Sequence, residues 1–270
     1  MKRFGRSRLA GTLVALGGVS ALALLAFGGY EVLEAPSSQV FGSTLVHGAA
    51  TLPEVALTFD DGPNPPYTER ILGVLERAHV RATFFVVGRA VAAHPAVVRR
   101  MVRDGDALGN HTWDHAHLIV ETPAAVRAEL DRTQAAILHA ADVRTDLMRP
   151  PFGARDFSVI REARRLGYTV VMWSVPLPDD WDQPGAAVIA ARVLRHVGDG
   201  SIIVLHDGNR GRLCAPLGQF PAKICDRSQE AAATALIVGA LRARGYRFVT
   251  IPQLLADSNA FTRTRVRRGR

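Results

Sequence analysis

The sequence predicts an α/β fold built on a parallel β-sheet. Short apolar segments alternate along the body of the chain with longer segments of helical periodicity. The apolar segments carry almost no polar residues, as in Ile202–Leu205, so we expect both faces of each strand to be buried. Buried strands separated by helices indicate a barrel or a doubly wound sheet. We find no internal sequence repeat and no second domain in the 270 residues.

Seven strands and six helices follow from this alternation. The strands are predicted at residues 55–59, 82–87, 107–110, 146–149, 169–173, 202–205 and 247–250. The helices are predicted at residues 67–79, 95–104, 122–140, 156–166, 185–197 and 228–245. Two helix starts carry a capping signal: Thr122 precedes Pro123, and Ser228 is expected to cap the last helix.

An uncharged segment, Leu9–Tyr30, follows four basic residues at the start of the chain. Its length of about 20 residues is enough to cross a bilayer as a helix, and the basic flank predicts a cytoplasmic N-terminus. Ala21-Leu22-Ala23 has the form of a signal-peptidase site but lies inside the apolar run, so we favour an uncleaved anchor over a cleaved signal peptide. Either outcome places the remaining chain outside the cytoplasm, anchored to the membrane or secreted.

The formal net charge of +8 is concentrated at the two ends of the chain. Residues 1–8 hold four basic residues and residues 263–270 hold five, which leaves 24 of the 33 basic residues in the body against 25 acidic ones. The high isoelectric point therefore does not indicate a nucleic-acid-binding surface, and no nucleic-acid partner is expected. We expect the Arg-rich tail to be disordered, either solvated or in contact with anionic lipid or wall polymer.

Cys214 and Cys225 are the only cysteines in the sequence. In an exported chain, two cysteines are natural disulfide partners. The loop that they would close contains Pro216 and Pro221 and has no helical or strand periodicity, so a bridge would pin an irregular loop. A metal site is the alternative, but no histidine lies nearby to complete one.

Two adjacent aspartates, Asp60 and Asp61, follow the first predicted strand and precede Gly62. The carboxyl ends of parallel strands are where such sheets and barrels place their chemistry. Adjacent carboxylates repel, so the pair makes sense if a cation neutralises one while the other transfers protons. A surface Asp-Asp-Gly turn is the alternative, since both residue types are common in turns.

Four other predicted strands are also followed by polar groups. These groups are His111 with His115, Arg149, Asp179 with Asp180, and His206. Two histidines four positions apart can point to one side of a helical turn and hold a metal ion, although nearby histidines are often incidental. Thr112 stands where zinc proteases carry a glutamate, which excludes that class. The coincidence of five such strand ends favours a catalytic site.

Three motifs of the sequence occur in the order seen in one family. Residues 58–63 read Thr-Phe-Asp-Asp-Gly-Pro, residues 111–115 read His-Thr-Trp-Asp-His, and residues 149–153 read Arg-Pro-Pro-Phe-Gly. On these motifs, about three quarters of the chain, from Val55 to Leu255, resembles the polysaccharide deacetylase family, the NodB-homology domain of carbohydrate esterase family four. The resemblance implies a distorted (β/α) barrel, often of seven strands, which agrees with the alternation above.

The domain organisation follows from this resemblance and from the two ends of the chain. We expect a signal anchor or signal peptide at 1–30, a linker at 31–53, the catalytic domain at 54–256 and a basic tail at 257–270. The chain is expected to be a monomer.

The resemblance also implies how metal and base are placed. Asp61, His111 and His115 would hold a divalent metal ion, most often zinc, with open positions for water and substrate. Asp60 would act as the general base toward the attacking water. Arg149 would pair with Asp60 and stabilise its charge.

Five further residues would complete the reaction in this resemblance. The backbone N–H of Phe152 would stabilise the oxyanion that develops on the acetyl group. His206 would protonate the departing amine, while Asp180 would orient His206 and keep it protonated. Val204 and Trp181 would form the walls around the acetyl methyl group.

The sequence departs from the family pattern in the loop before Trp181. The family's Asp-x-x-Asp-Trp reads Leu-Pro-Asp-Asp-Trp at residues 177–181, so Leu177 replaces the first aspartate. Asp180 matches the second aspartate, but a changed loop could bring Asp179 to the histidine instead. The partner of His206 therefore stays open between these two acids.

These observations predict a metal-dependent hydrolase that removes N-acetyl groups from peptidoglycan or a chitin-like glycan. An O-acetyl esterase acting on a polysaccharide such as xylan is one alternative, because the same site serves both reactions. A catalytically inactive glycan-binding domain of the same fold is another. The intact set of site residues weighs against the second alternative, since a binding module has no use for a base such as Asp60 beside a metal ligand.

Overall fold

A computed structural model describes residues 35–210, 212 and 225–268 of the protein, with side chains described as far as residue 260. Its strands are β1 (Glu54–Asp60), β2 (Thr83–Val86), β3 (Ala107–Asn110), β4 (Leu147–Met148), β5 (Thr169–Val170), β6 (Ser201–His206) and β7 (Arg247–Phe248). The α-helices of these residues are α1 (Tyr67–Arg77), α2 (Gly88–Ala93), α3 (Pro95–Asp104), α4 (Pro123–Ala141), α5 (Phe157–Arg165), α6 (Ala186–His196), α7 (Ser228–Ala243) and α8 (Ile251–Arg268).

The seven strands form one parallel sheet in the order β5-β4-β3-β2-β1-β6, with β7 paired to the start of β1. The predicted α/β fold with seven parallel strands is therefore confirmed. β1 lies between β2 and β6 at its carboxyl end, where Asp60 is in register with Phe85 on one side and His206 on the other. The sheet thus brings the first and the last predicted catalytic groups to one edge.

Hydrogen bonds join the segment after β5 to β6. The amides of Ser174 and Val175 donate to the carbonyl of Ile202 at 3.2 and 3.3 Å. A parallel bridge between Leu45 and Val171 and an antiparallel bridge between His47 and Ser201 bring part of the predicted linker against the same two strands. This arrangement is consistent with the predicted distorted barrel.

Both faces of the central strands are buried, as the apolar strand sequences predict. Leu57 and Phe59 of β1 belong to one hydrophobic cluster, packed with α1, α3 and α7, while Ala56 belongs to a second cluster on the opposite face. Because side chains alternate along a strand, Thr58 and Asp60 point to the same face as Ala56. The first aspartate of the motif is therefore held inside the sheet rather than on a surface turn.

The predicted helix starts are confirmed only in part, and one short helix was not predicted. Thr122 caps α4 as expected and accepts a hydrogen bond from the Ala125 amide at 3.2 Å. Ser228, in contrast, is the first residue of α7, and its side chain makes no capping hydrogen bond. The Asp226 carboxylate accepts a hydrogen bond from the Ser228 amide at 2.7 Å and so caps the helix in its place. Helix α2 was not predicted, because its six residues are too few to show a helical period.

The predicted disorder of the basic tail is wrong for most of its length. Helix α8 begins at Ile251 and continues to Arg268, so residues 257–268 are helical. Ile251 and Leu254 are buried against the second hydrophobic cluster and anchor the start of the helix. A helix started by burial extends over polar residues more readily than the charge of the tail alone suggests.

Several predictions concern residues outside the described part of the chain. The uncharged segment Leu9–Tyr30 lies there, and within the described residues no helix is both long and apolar enough to span a bilayer. Cys214 also lies there, while Cys225 is buried with 2% of its surface exposed. Membrane anchorage, the domain boundaries and the Cys214–Cys225 bridge stay predictions.

Candidate active site

A cavity of about 650 Å³ opens at the carboxyl ends of the parallel strands. Eight of the ten predicted catalytic, metal and pocket residues line this cavity: Asp60, Asp61, His111, His115, Phe152, Trp181, Val204 and His206. The other two, Arg149 and Asp180, lie directly behind it with no exposed surface. The structure therefore brings together every predicted site residue other than the two cysteines.

Asp61, His111 and His115 form a buried cluster that fits a divalent metal ion. The Asp61 Oδ1 atom lies 3.4 Å from His111 Nε2 and 3.2 Å from His115 Nε2, and each side chain is at most 6% exposed. Asp61 Oδ1 is buried and has no hydrogen-bond partner among the described residues. A buried carboxylate oxygen left without a donor, facing two imidazole nitrogens, is the donor set that a metal ion would satisfy.

The protonation of these groups also favours cation binding. His111 Nδ1 donates to the Arg149 carbonyl at 2.8 Å, which places the proton on Nδ1 and leaves Nε2 free as a ligand. Burial alone would raise the pKa of Asp61, but its close interactions with the imidazoles of His111 and His115 lower that pKa well below the ordinary value. The cluster therefore offers an anionic oxygen of Asp61 facing two imidazole Nε2 atoms.

The two histidines converge through a loop, not through the helical turn that their spacing suggested. Residues 111–115 have no helical structure, and φ is positive at Thr112 and at the second histidine, +66° and +63°. The Asn110 side chain accepts from the Thr112 amide at 2.9 Å, and Glu129 on α4 accepts from the Trp113 amide at 2.8 Å. These two hydrogen bonds stabilise a loop whose positive φ angles are rarely adopted by residues other than glycine.

Arg149 is fully buried and binds Asp60. Its Nη1 donates to Asp60 Oδ1 at 2.7 Å and to the Thr58 hydroxyl at 2.8 Å. Its Nε and Nη2 donate to the carbonyls of Val171 and Met172 at 3.3 and 3.0 Å. The guanidinium is therefore fixed by four acceptors and holds the Asp60 carboxylate in one orientation at the cavity wall.

Asp180, not Asp179, is the partner of His206. His206 donates from Nδ1 to one oxygen of Asp180 at 2.8 Å and from its backbone amide to the other at 2.7 Å. Asp179 turns outward and pairs with Arg192 at 3.2 Å, half exposed. Burial opposes protonation of His206, but the Asp180 charge and hydrogen bond, helped by the charges of Asp61 and Asp60, raise the pKa of His206 to about 10.

Aromatic and apolar side chains form the walls of the cavity. Trp181 is 38% exposed and its ring centroid lies 5.4 Å from that of His206. Val204, on β6, is buried and lines the same cavity. Phe152 is half exposed, has a positive φ of +60°, and stacks on His117 at 5.1 Å. An apolar floor beside a protonated imidazole suits a small acyl group bound next to a polar reaction centre.

Asp207 and its neighbours were missed by the sequence analysis. The Thr68 hydroxyl donates to Asp207 Oδ2 at 2.5 Å, and a Cβ atom on Gly62 would lie only 2.0 Å from the same oxygen. Only glycine therefore allows the turn after β1 to pack on the end of β6. Burial raises the pKa of Asp207 to about 7. The available signal was a second polar residue directly after His206.

Comparison with known proteins gives consistent matches. The family model for polysaccharide deacetylase matches residues 47–171. The chain is 36% identical over 203 residues to a peptidoglycan-N-acetylglucosamine deacetylase of Bacillus cereus, which covers 74% of this chain and 87% of that protein. It is also 36% identical over 211 residues to a chitooligosaccharide deacetylase of Sinorhizobium fredii, covering 78% of this chain and 95% of that protein.

The fold is similar to that of a solved relative as well. A crystal structure of a peptidoglycan N-acetylglucosamine deacetylase superposes with a TM-score of 0.70 at 29% identity, covering 79% of this chain and 92% of that one. The matched regions span 87% and 95% of the lengths of the two curated relatives. The chain belongs to the polysaccharide deacetylase family.

Proposed function

We propose that this protein is a metal-dependent hydrolase that removes N-acetyl groups from cell-envelope or chitin-like glycans. The observation that carries the proposal is the arrangement of one cavity: a carboxylate fixed by Arg149, a three-residue metal cluster beside it, and a protonated His206. Relatives named peptidoglycan and chitooligosaccharide deacetylases support the substrate class.

We propose Zn²⁺ as the ion held by Asp61, His111 and His115. One carboxylate oxygen and two imidazole nitrogens are typical zinc ligands, and three protein ligands are typical of catalytic rather than structural zinc. When bound, the ion supplies a Lewis acid that activates water and polarises the acetyl carbonyl.

Asp60 and His206 then divide the proton transfers. Arg149 binds Asp60 Oδ1, so the proton from the attacking water would go to Oδ2. His206 keeps Nδ1 bonded to Asp180, so its Nε2 proton would go to the nitrogen of the leaving sugar amine. The products are acetate and a free amino sugar.

Three residues would hold the acetyl group during this reaction. The Phe152 backbone N–H would stabilise the oxyanion, because this residue lines the cavity in the rigid turn at Pro151–Gly153. Val204 and Trp181 would enclose the methyl group beside His206. A protonated imidazole at this position favours an amide over an ester substrate, because an amine leaves only after it gains a proton.

The product distinguishes the proposed reaction from its alternatives. Purified zinc-loaded protein should release acetate and free amine in equal amounts from peptidoglycan or chitooligosaccharides, measured by mass spectrometry of the glycan and an acetate assay. Release of acetate from acetylated xylan alone, without free amine, would identify an O-acetyl esterase. Glycan binding without release of acetate would identify an inactive binding domain.

Asp180→Asn should move the alkaline limb of kcat to lower pH. If protonated His206 is the acid, kcat falls as pH rises through the pKa of His206, which Asp180 raises more than any other group. Removing the Asp180 charge should therefore shift the midpoint of the alkaline limb to lower pH by about 1 to 3 pH units. Asp179→Asn is the matched control, because Asp179 pairs with Arg192 at the surface and should leave the limb in place. Equal shifts in both variants would contradict the assignment.

We also propose that the protein acts as a monomer outside the cytoplasm, anchored through the uncharged segment Leu9–Tyr30. The support is the length of that segment and the basic residues before it. Membrane fractionation of the full chain, followed by N-terminal sequencing, would separate an anchor from a cleaved signal peptide.

A further inference from the structure

Arg210 is an exposed cation fixed at the edge of the metal cluster. Its backbone amide donates to Asp61 Oδ2 at 2.8 Å, and its φ of +51° lies in the left-handed region. Its guanidinium carbon lies 5.3 Å from the centroid of the Phe152 ring, and the residue lines the cavity. The position of this side chain is therefore tied both to a metal ligand and to the pocket wall.

The positive charge of Arg210 is not used by a neighbouring acid. Within the described residues Arg210 forms no salt bridge. Of the acids that line the cavity, Asp60 is bound by Arg149 and Asp61 faces the two histidines, which leaves Asp182 at the rim. Two further arginines, at positions 212 and 227, line the same cavity. Arg210 itself is exposed at the cavity wall and has no acidic partner among the described residues, so its guanidinium favours an anionic ligand.

We propose that Arg210 binds a carboxylate on the glycan, next to the sugar that loses its acetyl group. A guanidinium presents a planar set of N–H donors that matches a carboxylate, and stacking on an aromatic ring leaves those donors free. This inference rests on the proposed function and narrows its substrate. It favours a glycan in which N-acetylglucosamine alternates with a sugar that carries a lactyl carboxylate over a neutral chitin-like chain.

The carboxylate has two possible sources in such a glycan. In a strand without peptide, the lactyl group itself is the anion. In a strand with peptide, the lactyl carboxylate is consumed in an amide bond, and the peptide supplies the carboxylates instead. Three probes of equal sugar number separate these cases: chitotetraose, the peptide-free alternating tetrasaccharide, and the same tetrasaccharide with peptide.

Equilibrium binding of glycan probes tests the inference independently of turnover. The full chain with Asp60→Asn, zinc-loaded, would be titrated with each probe by calorimetry, with and without Arg210→Gln. We expect Arg210→Gln to lower the preference for the acidic probe over chitotetraose by about tenfold. Arg210→Lys should retain part of the preference. The matched control is Arg195→Gln, which removes an exposed arginine of α6 outside the cavity and should leave the preference unchanged.

The outcomes separate the inference from the function on which it rests. Loss of preference for the peptide-free probe identifies the lactyl carboxylate, and loss only for the peptide-bearing probe identifies the peptide. An unchanged preference in Arg210→Gln, or equal weakening of acidic and neutral probes at normal zinc content, would overturn the inference. If the wild-type protein releases no acetate while the preference still depends on Arg210, the proposed function fails and the carboxylate site stands.

Discussion

Replacing Asp60 with Asn is expected to lower kcat/KM by about 10²- to 10⁴-fold while zinc stays bound at the wild-type stoichiometry. Asp60 is not among the three residues whose ligand atoms converge, and its Oδ1 is held by Arg149 at 2.7 Å. The amide of Asn can still accept that hydrogen bond through Oδ1, so the shape of the site is preserved. It cannot take a proton from water, which is the one property removed.

Asp61→Asn is the comparison that gives this result its meaning. Asp61 supplies the only carboxylate oxygen of the metal cluster, so its amide variant should lose zinc as well as turnover. Zinc content by atomic emission and initial rates on one glycan would be measured for both variants, with melting temperatures to confirm folding. Loss of zinc in Asp60→Asn, or more than a tenth of wild-type activity, would contradict the division of roles between the two aspartates.

The location of the site was predictable because parallel strands end at one edge of the sheet. Asp60 and His206 are 146 positions apart in the sequence but are paired in register on β1 and β6. A reader of the sequence needs only the two strands and their direction to expect this meeting. The roles of the individual residues needed more, since the metal cluster and the Asp60 partner came from the family resemblance.

Hydrogen bonds between residues distant in the sequence were not predictable in the same way. The loop at residues 111–115 is held by Glu129, whose carboxylate accepts a hydrogen bond from the Trp113 amide 16 positions away. Asp207 is held by a hydrogen bond from the Thr68 hydroxyl, 139 positions away. No local pattern marks such acceptors, because the tertiary fold alone brings them to the loop. Strands β4 and β5 were predicted too long: two residues of each are paired within the sheet, while Val171, directly after β5, bridges to Leu45 of the segment before β1.

The second large effect is expected from Arg149→Met. Among the described residues, Arg149 is the only cation within hydrogen-bond distance of the Asp60 carboxylate, whose side chain is 5% exposed, so this change leaves a buried anion without its partner. Breaking a buried ion pair from one side costs about 3–5 kcal/mol, so the free energy of unfolding should fall by that amount. Urea unfolding followed by circular dichroism would measure it, and activity should fall with it because the base is no longer oriented.

The double variant Arg149→Met with Asp60→Asn tests whether the cost comes from the buried charge. With the anion also removed, we expect it to be more stable than Arg149→Met alone, with a coupling of at least about 1 kcal/mol. Arg192→Met is the matched control, because its pair with Asp179 is half exposed and should change stability by no more than about 0.5 kcal/mol. If Arg149→Met matched that control, or if the two site changes were additive, Arg149 would be a packing residue and would not orient the base.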